Sequence, residues 1–197
     1  MVKLASHNSW TFLTPRKWWM RLIAFTARCQ RLNIRQQFWH GVRCFDLRIR
    51  FDEQGLPVIA HGIVEYDYAT EQIMSDLNFL NIMARTSDVV YVRLINEVRK
   101  EADDTETNRD LFSAFCKRVE EQYESIRFWN GSNLLSKRYC VYHFVHDASC
   151  EELYSSVRSP KLLDDWWPWL YASLHNEGNW KRGTEKEFMM MDFVDII

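Results

Sequence analysis

The sequence predicts a single α/β domain over residues 1–197, built as a shortened or irregular TIM-like (β/α) barrel. Three observations predict it. Segments with strand and helix periodicity alternate along the chain, in the order strand, helix, hairpin, helix, strand, helix, strand. The segment 88–96, DVVYVRLIN, is almost continuously apolar, as a strand covered on both faces must be. The chain has 197 residues, with about seven legible strands, whereas a complete eight-stranded barrel takes about 250 residues.

The elements follow in order. Residues 2–5 read as the first strand. Residues 10–30 form a basic, aromatic, amphipathic segment in which Pro15 suits a helix start, and Trp18, Trp19, Leu22, Ile23 and Phe25 alternate with Arg16, Lys17, Arg21 and Arg28. An apolar stripe packed on the barrel explains most of it, but adjacent Trp18 and Trp19 cannot both face one core, and Trp beside Lys or Arg suits a lipid interface. A helix over 32–39 ends at Gly41. Residues 71–84 carry Ile73, Leu77 and Leu80 at helical spacing, and 105–126 is the longest expected helix. Residues 139–145 read as a strand, 170–174 as a short strand, and 188–197 as the last one. Trp166, Trp167 and Trp169 either close the barrel or line its rim, and closure is the expectation, because core demand is the usual reason for such a cluster.

Composition limits the function. The net charge of −2 gives no general attraction for nucleic acid. Cys29, Cys44, Cys116, Cys140 and Cys150 are odd in number and lack metal-ligand spacing, so buried thiols in a reducing compartment are expected. Residues 1–9 look like a strand rather than a leader, and no run reaches transmembrane length. The expected setting is cytoplasmic or peripheral to a membrane, with secretion open to a chain trimmed of its leader; a monomer is expected.

The stretch 41–62, GVRCFDLRIRFDEQGLPVIAHG, concentrates the chemistry. In strand alternation Phe45, Leu47, Ile49 and Phe51 share one face, while Cys44, Asp46, Arg48 and Arg50 share the other. Asp52, Glu53, Gln54 and Gly55 read as a tight turn, so the second apolar run folds back and brings His61 opposite Asp46, to within one register step. Asp46, Arg48 and His61 should therefore meet.

Upstream, Ser6, His7, Asn8 and Ser9 follow the first strand. SHNS, then RCFDLRIR, then a hydrophobic run ending in HG together resemble the catalytic X region of phosphatidylinositol-specific phospholipase C, more closely the small calcium-independent bacterial type than the large eukaryotic type. The resemblance is sharpest over residues 4–62, continues through 88–97 and returns at FMMMDF; residues 98–180 match nothing. It implies a metal-free phosphodiesterase that cleaves a phosphatidylinositol-type lipid at a membrane surface by attack of the neighbouring 2-hydroxyl. Such a reaction needs a base, charge stabilisation at the phosphoryl oxygens and an acid for the leaving alkoxide. His7 would be the base, Arg48 the phosphate ligand and His61 the acid.

By the same resemblance Asp192 orients the base, with Asp195 as the alternative in a shifted register, and Asp46 orients Arg48 or His61. Glu97 contacts the headgroup and Asn8 lies in the binding site, where the bacterial enzymes carry an aspartate. Ile95 replaces their lysine, and Arg93 on the same strand face could compensate. Trp18 and Trp19 match the use of rim tryptophans for membrane contact. No cofactor is implied, and Arg48 stands where calcium-dependent relatives have a ligating aspartate, so no metal is expected. Two other readings remain open. GLPVIAHG also resembles the hairpin of metal-dependent glycerophosphodiester phosphodiesterases, whose early histidine is followed by Arg-Gly rather than Asn8 and Ser9. A non-catalytic phospholipid-binding relic would predict loss of a histidine, and both are present.

Overall fold

The computed structural model describes residues 3–87, 89–97, 105–128, 140–141, 154–155, 167–182 and 188–197. The strands are β1 (Lys3–Ser6), β2 (Val42–Phe51), β3 (Pro57–His61), β4 (Val64–Glu65), β5 (Tyr91–Asn96), β6 (Arg127–Phe128), β7 (Cys140–Val141), β8 (Tyr154–Ser155) and β9 (Phe188–Met191). The helices are α1 (Met20–Ala27), α2 (Ile34–Trp39), α3 (Thr70–Thr86), α4 (Glu106–Gln122) and α5 (Pro168–Arg182).

The sheet runs β8, β9, β1, β2, β5, all parallel, with β6 and β7 pairing successive parts of the outer side of β5. β2 is long enough to take two neighbours on one side: β1 along Val42–Phe45, then β3, antiparallel, along Ile49–Phe51. Among the described residues the parallel set does not close on itself, and the fold is an irregular, incomplete barrel. β2 and β3 form the predicted hairpin. Gly55 takes φ +74°, and the Asp52 carboxylate accepts from the amides of Gln54 and Leu56. The register Ile49 to Ile59 extends to place His61 level with Leu47, one step from the expected Asp46.

Alternation sorts the two faces of the sheet. Leu4, Phe45, Leu47, Ile49, Val92, Leu94, Met189 and Met191 face the helices and join Ile73, Leu77, Phe112 and Val119 in the main core. Ala5, Cys44 and Phe188, with Tyr91 and Met190, point the other way into the barrel. The rings of Tyr91 and Phe188 meet edge to face at 4.9 Å over the small Ala5 and Cys44 and fill the N-terminal end of the interior. Further along each strand the same interior face turns polar: Asp46 and Arg48 on β2, Arg93 and then Glu97 along and beyond β5, His7 after β1, Asp192 after β9. The apolar floor seals one end of the barrel and leaves charge at the C-terminal ends of the strands, where barrel enzymes carry their sites.

Local capping marks the starts of two helices. Asn33 and Gln36 form a reciprocal capping box at the start of α2, and Thr105 caps α4 by accepting from the Asn108 amide. Several expectations need correction. In 10–30 only Met20–Ala27 is helical; Pro15 bridges Tyr66, and the backbone of 14–16 hydrogen-bonds the β4 edge, with the Arg16 amide on the Glu65 carbonyl and the Asp67 amide on that of Thr14. Residues 170–174 belong to α5, whose buried Tyr171, Ala172, Asn176 and Asn179 recur at helical spacing. The last strand stops at Met191, because Phe193 turns left-handed at φ +46° and a 3-10 turn over Val194–Ile196 follows. Trp167 and Trp169 do not close the barrel: both are exposed, Trp167 just before α5 and Trp169 in its first turn. Trp166, most of the expected strand over 139–145, and the side chains of Cys140 and Cys150 lie outside the described residues. Cys29, Cys44 and Cys116 are buried thiols. No described helix is long and apolar enough to cross a membrane.

Candidate active site

His7 is the first residue past β1, and its backbone N–H still reaches the Met191 carbonyl at 3.0 Å. Its Nδ1 lies 2.7 Å from Asp192 Oδ1 and its Nε2 2.7 Å from Arg48 Nη2. A carboxylate accepts and a guanidinium donates, so Nδ1 carries the proton and the Nε2 lone pair receives Arg48. The resulting line, Asp192, His7, Arg48, joins three strands. Asp195 instead pairs with Arg31, so of the two C-terminal acids it is Asp192 that meets His7.

Arg48 is almost fully buried and binds two acids. Its Nε and Nη2 donate to Asp46 Oδ2 at 3.1 and 2.9 Å, and its Nη1 reaches Glu97 Oε2 at 3.4 Å. Burial alone would raise the Asp46 carboxyl, but Arg48, with Arg93 and His7 nearby, holds it well below the usual carboxylate range. Arg93 pairs in register with Asp46, while Ile95 is level with Arg48. Arg93 therefore sits one layer deeper than Arg48, and its charge acts on Asp46. Asn8, at φ +49°, donates its backbone N–H to Asp46 Oδ2 at 3.1 Å. Its side-chain Nδ2 is buried and has no hydrogen-bond partner among the described residues, which makes it a donor available to an incoming oxygen.

His61 ends β3. Its Nδ1 is 2.8 Å from the Ala27 carbonyl, and since that oxygen only accepts, Nδ1 carries the proton and Nε2 is the basic nitrogen. Gly62 follows at φ +57°; its N–H donates to Glu97 Oε1 at 2.8 Å and its carbonyl accepts from Arg50. The rings of His7 and His61 stand 6.0 Å apart, nearly perpendicular. Burial, aided by Arg48 and opposed by Glu97, the Ala27 hydrogen bond and Asp192, lowers the His61 imidazole below its ordinary value. The structure brings together Asp46, Arg48, His61, His7, Asn8, Glu97 and Asp192.

Other contributors were not legible. Gln30 and Asn176 are buried amides that hydrogen-bond the backbone around His7 and Asp192, and Thr11 Oγ1 ties the Asn8 carbonyl to the amides of Cys29 and Gln30. Each is a lone polar residue outside any motif, and nothing in the sequence marks it. One group among the described residues has metal-ligand types: His7, Cys29 and Asp192, with a donor atom from each within 4.8 Å of the others. Trp18 and Trp19 lie just before α1 at 73% and 39% exposure, and Leu22, Phe25, Trp167 and Trp169 are exposed as well. Phe25 meets Trp167 at 6.1 Å, so the aromatic surface spans α1 and the start of α5.

An incomplete parallel α/β barrel, with two histidines, an arginine and three carboxylates gathered at its C-terminal end, all buried except the half-buried His61, defines the class of architecture. No family model and no curated protein matches the chain. Solved structures do. A phosphatidylinositol-specific phospholipase C from Listeria monocytogenes matches at TM-score 0.63 and 12% identity, over 98% of this chain and 88% of that one. A mutant of the phosphatidylinositol-specific phospholipase C from Staphylococcus aureus matches at TM-score 0.61 and 13% identity, over 97% and 84%. At these identities the likeness establishes the fold, which is that of these barrels.

Proposed function

We propose that this chain is a phospholipase C-like phosphodiesterase that cleaves a phosphatidylinositol-type lipid by attack of the inositol 2-hydroxyl on phosphorus. The observation that carries the reading is the Asp192, His7, Arg48 line with His61 across from it. The fold shared with bacterial phospholipases of that type supports it.

His7 Nε2 takes the proton of the attacking hydroxyl, and Asp192 stabilises the imidazolium that forms. The phosphoryl oxygens draw Arg48 from His7 Nε2, which frees the base as the guanidinium engages the developing charge. His61, protonated at Nε2 while Nδ1–H stays on the Ala27 carbonyl, gives its proton to the leaving alkoxide. Asp46 aims Arg48, Arg93 supports Asp46 from below, Glu97 and the Asn8 amide contact the headgroup, and Trp18 and Trp19 meet the lipid surface. The site holds three carboxyl groups, Asp46, Glu97 and Asp192, against two guanidiniums, Arg48 and Arg93. With His61 neutral, negative charge is in excess by one in that count, and protonation of His61 brings it into balance, so binding of a phosphodiester anion and arming of the acid are coupled. No step requires a metal.

The test is a pair of variants on two leaving groups. His7→Ala and His61→Ala should each lose at least about 10²-fold on the lipid. On a diester with a leaving group of low pKa His61→Ala should recover and His7→Ala should not. Equal losses on both substrates would contradict the assignment of base and acid.

A further inference from the structure

We infer that Gln30 is a positioning residue that sets His7 and Asp192 against each other, an assignment that rests on the catalytic reading of His7. The β1 to β9 ladder ends at the pair Ser6 and Met191, so the base and its carboxylate stand just beyond the last ladder pair, where Phe193 bends the chain away. Gln30 spans that place. It is fully buried, and its Nε2 donates to the carbonyls of His7 and Met191 at 3.1 and 2.9 Å, while its Oε1 accepts from the Val194 amide at 3.2 Å. These groups belong to the base residue itself, to the residue before Asp192 and to the second residue after it. One planar amide therefore fixes the backbone on both sides of the 2.7 Å contact between His7 and Asp192.

Gln30 is fixed in turn by its own backbone N–H on Thr11 Oγ1 at 3.0 Å, and the neighbouring Cys29 carbonyl accepts from the Phe193 amide at 2.6 Å. Only a side chain with two donor hydrogens and one acceptor at this reach serves all three backbone groups. Glutamate would set lone pairs against two carbonyls. Methionine would fill the space and hold neither strand end.

The test is a double-mutant cycle joined to a signal that needs no turnover. With Gln30→Met, kcat should fall about 10²-fold with KM nearly unchanged, because displacement of a reacting group by about 1 Å costs that much. In an Asp192→Asn background the same substitution should cost about threefold or less, since the contact it protects is already weakened. In proton NMR the His7 Nδ1 proton, hydrogen-bonded to Asp192, should give a low-field resonance that moves upfield in Gln30→Met, while the His61 Nδ1 proton on the Ala27 carbonyl stays in place. That readout tests the positioning even if the substrate proves to be a different diester. Equal losses in the two backgrounds, or an unmoved His7 resonance, would overturn the assignment. Failure of both Gln30→Met and Gln30→Glu to fold would make position 30 a structural residue and overturn it as well.

Discussion

Replacing Asp192 by asparagine removes one charge and leaves its surroundings in place. The backbone at 192 is fixed independently, because Asn176 Nδ2 donates to the Asp192 carbonyl at 2.7 Å and Gln30 holds the residues on either side. The lost interaction is the 2.7 Å hydrogen bond to His7 Nδ1, between side chains only 6% and 5% exposed. A hydrogen bond to a charged group contributes about 1.5–3 kcal/mol. Here it acts when His7 becomes imidazolium, so the loss falls on the transition state and converts to about 10- to 160-fold in kcat. If the new amide turns its NH2 toward Nδ1, the proton is forced to Nε2, against Arg48, and the loss grows. The assay is turnover of a soluble inositol phosphodiester, with kcat and KM measured separately and folding checked by thermal melting. A kcat within about threefold of wild type, or a loss confined to KM, would refute the relay through Asp192.

Arg48→Lys should cost roughly 10²-fold in turnover, because one point charge cannot serve Asp46, Glu97 and the phosphoryl oxygens as the planar fork does; retained activity on the lipid would exclude Arg48 as the phosphate ligand. If His61 is the acid of the proposed mechanism it works protonated, and burial lowers it, so kcat/KM should fall as pH rises through a value below the ordinary 6.5, and the kcat limb should lie at higher pH because the bound anion favours imidazolium. A kcat/KM limb at or above 6.5 would contradict this. The same lowering means that the unfolded chain binds the extra proton: stability from neutral His61 is present above about 6.5 and lost as pH falls toward the folded value, a slope that His61→Asn should reduce in denaturant melts. Replacing Trp18 and Trp19 by alanine should weaken vesicle binding and vesicle turnover, spare the soluble diester and leave the melting temperature near wild type, since both side chains are exposed. Unchanged binding to phosphatidylinositol vesicles would remove them from the interface.

The hairpin was legible because β2 keeps strict alternation, with Asp46 and Arg48 on one face and Phe45, Leu47 and Ile49 on the other, and because Gly55 marks the turn. Distance along the chain hid more. His7 and Asp192 are separated by 185 residues, and no periodicity links them; the resemblance supplied that pair. Gln30 and Asn176 were invisible because a buried amide that satisfies backbone carbonyls looks in sequence like any polar residue near a helix end. At the start of α5 the consecutive aromatics of WWPWLY obscured the helical spacing that burial makes plain, and Trp167 and Trp169, assigned to barrel closure, are exposed, with Trp167 against Phe25. Around residues 14–16, Pro15 suggested a helix start, but the backbone there makes its hydrogen bonds to the edge of β4.

Intramolecular attack without metal leaves a product that can be read directly. Phosphatidylinositol vesicles are incubated with the protein in excess EDTA and followed by phosphorus-31 NMR. In the proposed mechanism Arg48 supplies the positive charge at phosphorus, and His7, with its Nδ1–H on Asp192, removes the proton of the adjacent hydroxyl. The first product should therefore be a cyclic inositol phosphodiester, formed at a rate that chelation does not change. An acyclic phosphomonoester as the first product, or a reaction that stops in EDTA and returns with added metal through His7, Cys29 and Asp192, would contradict it.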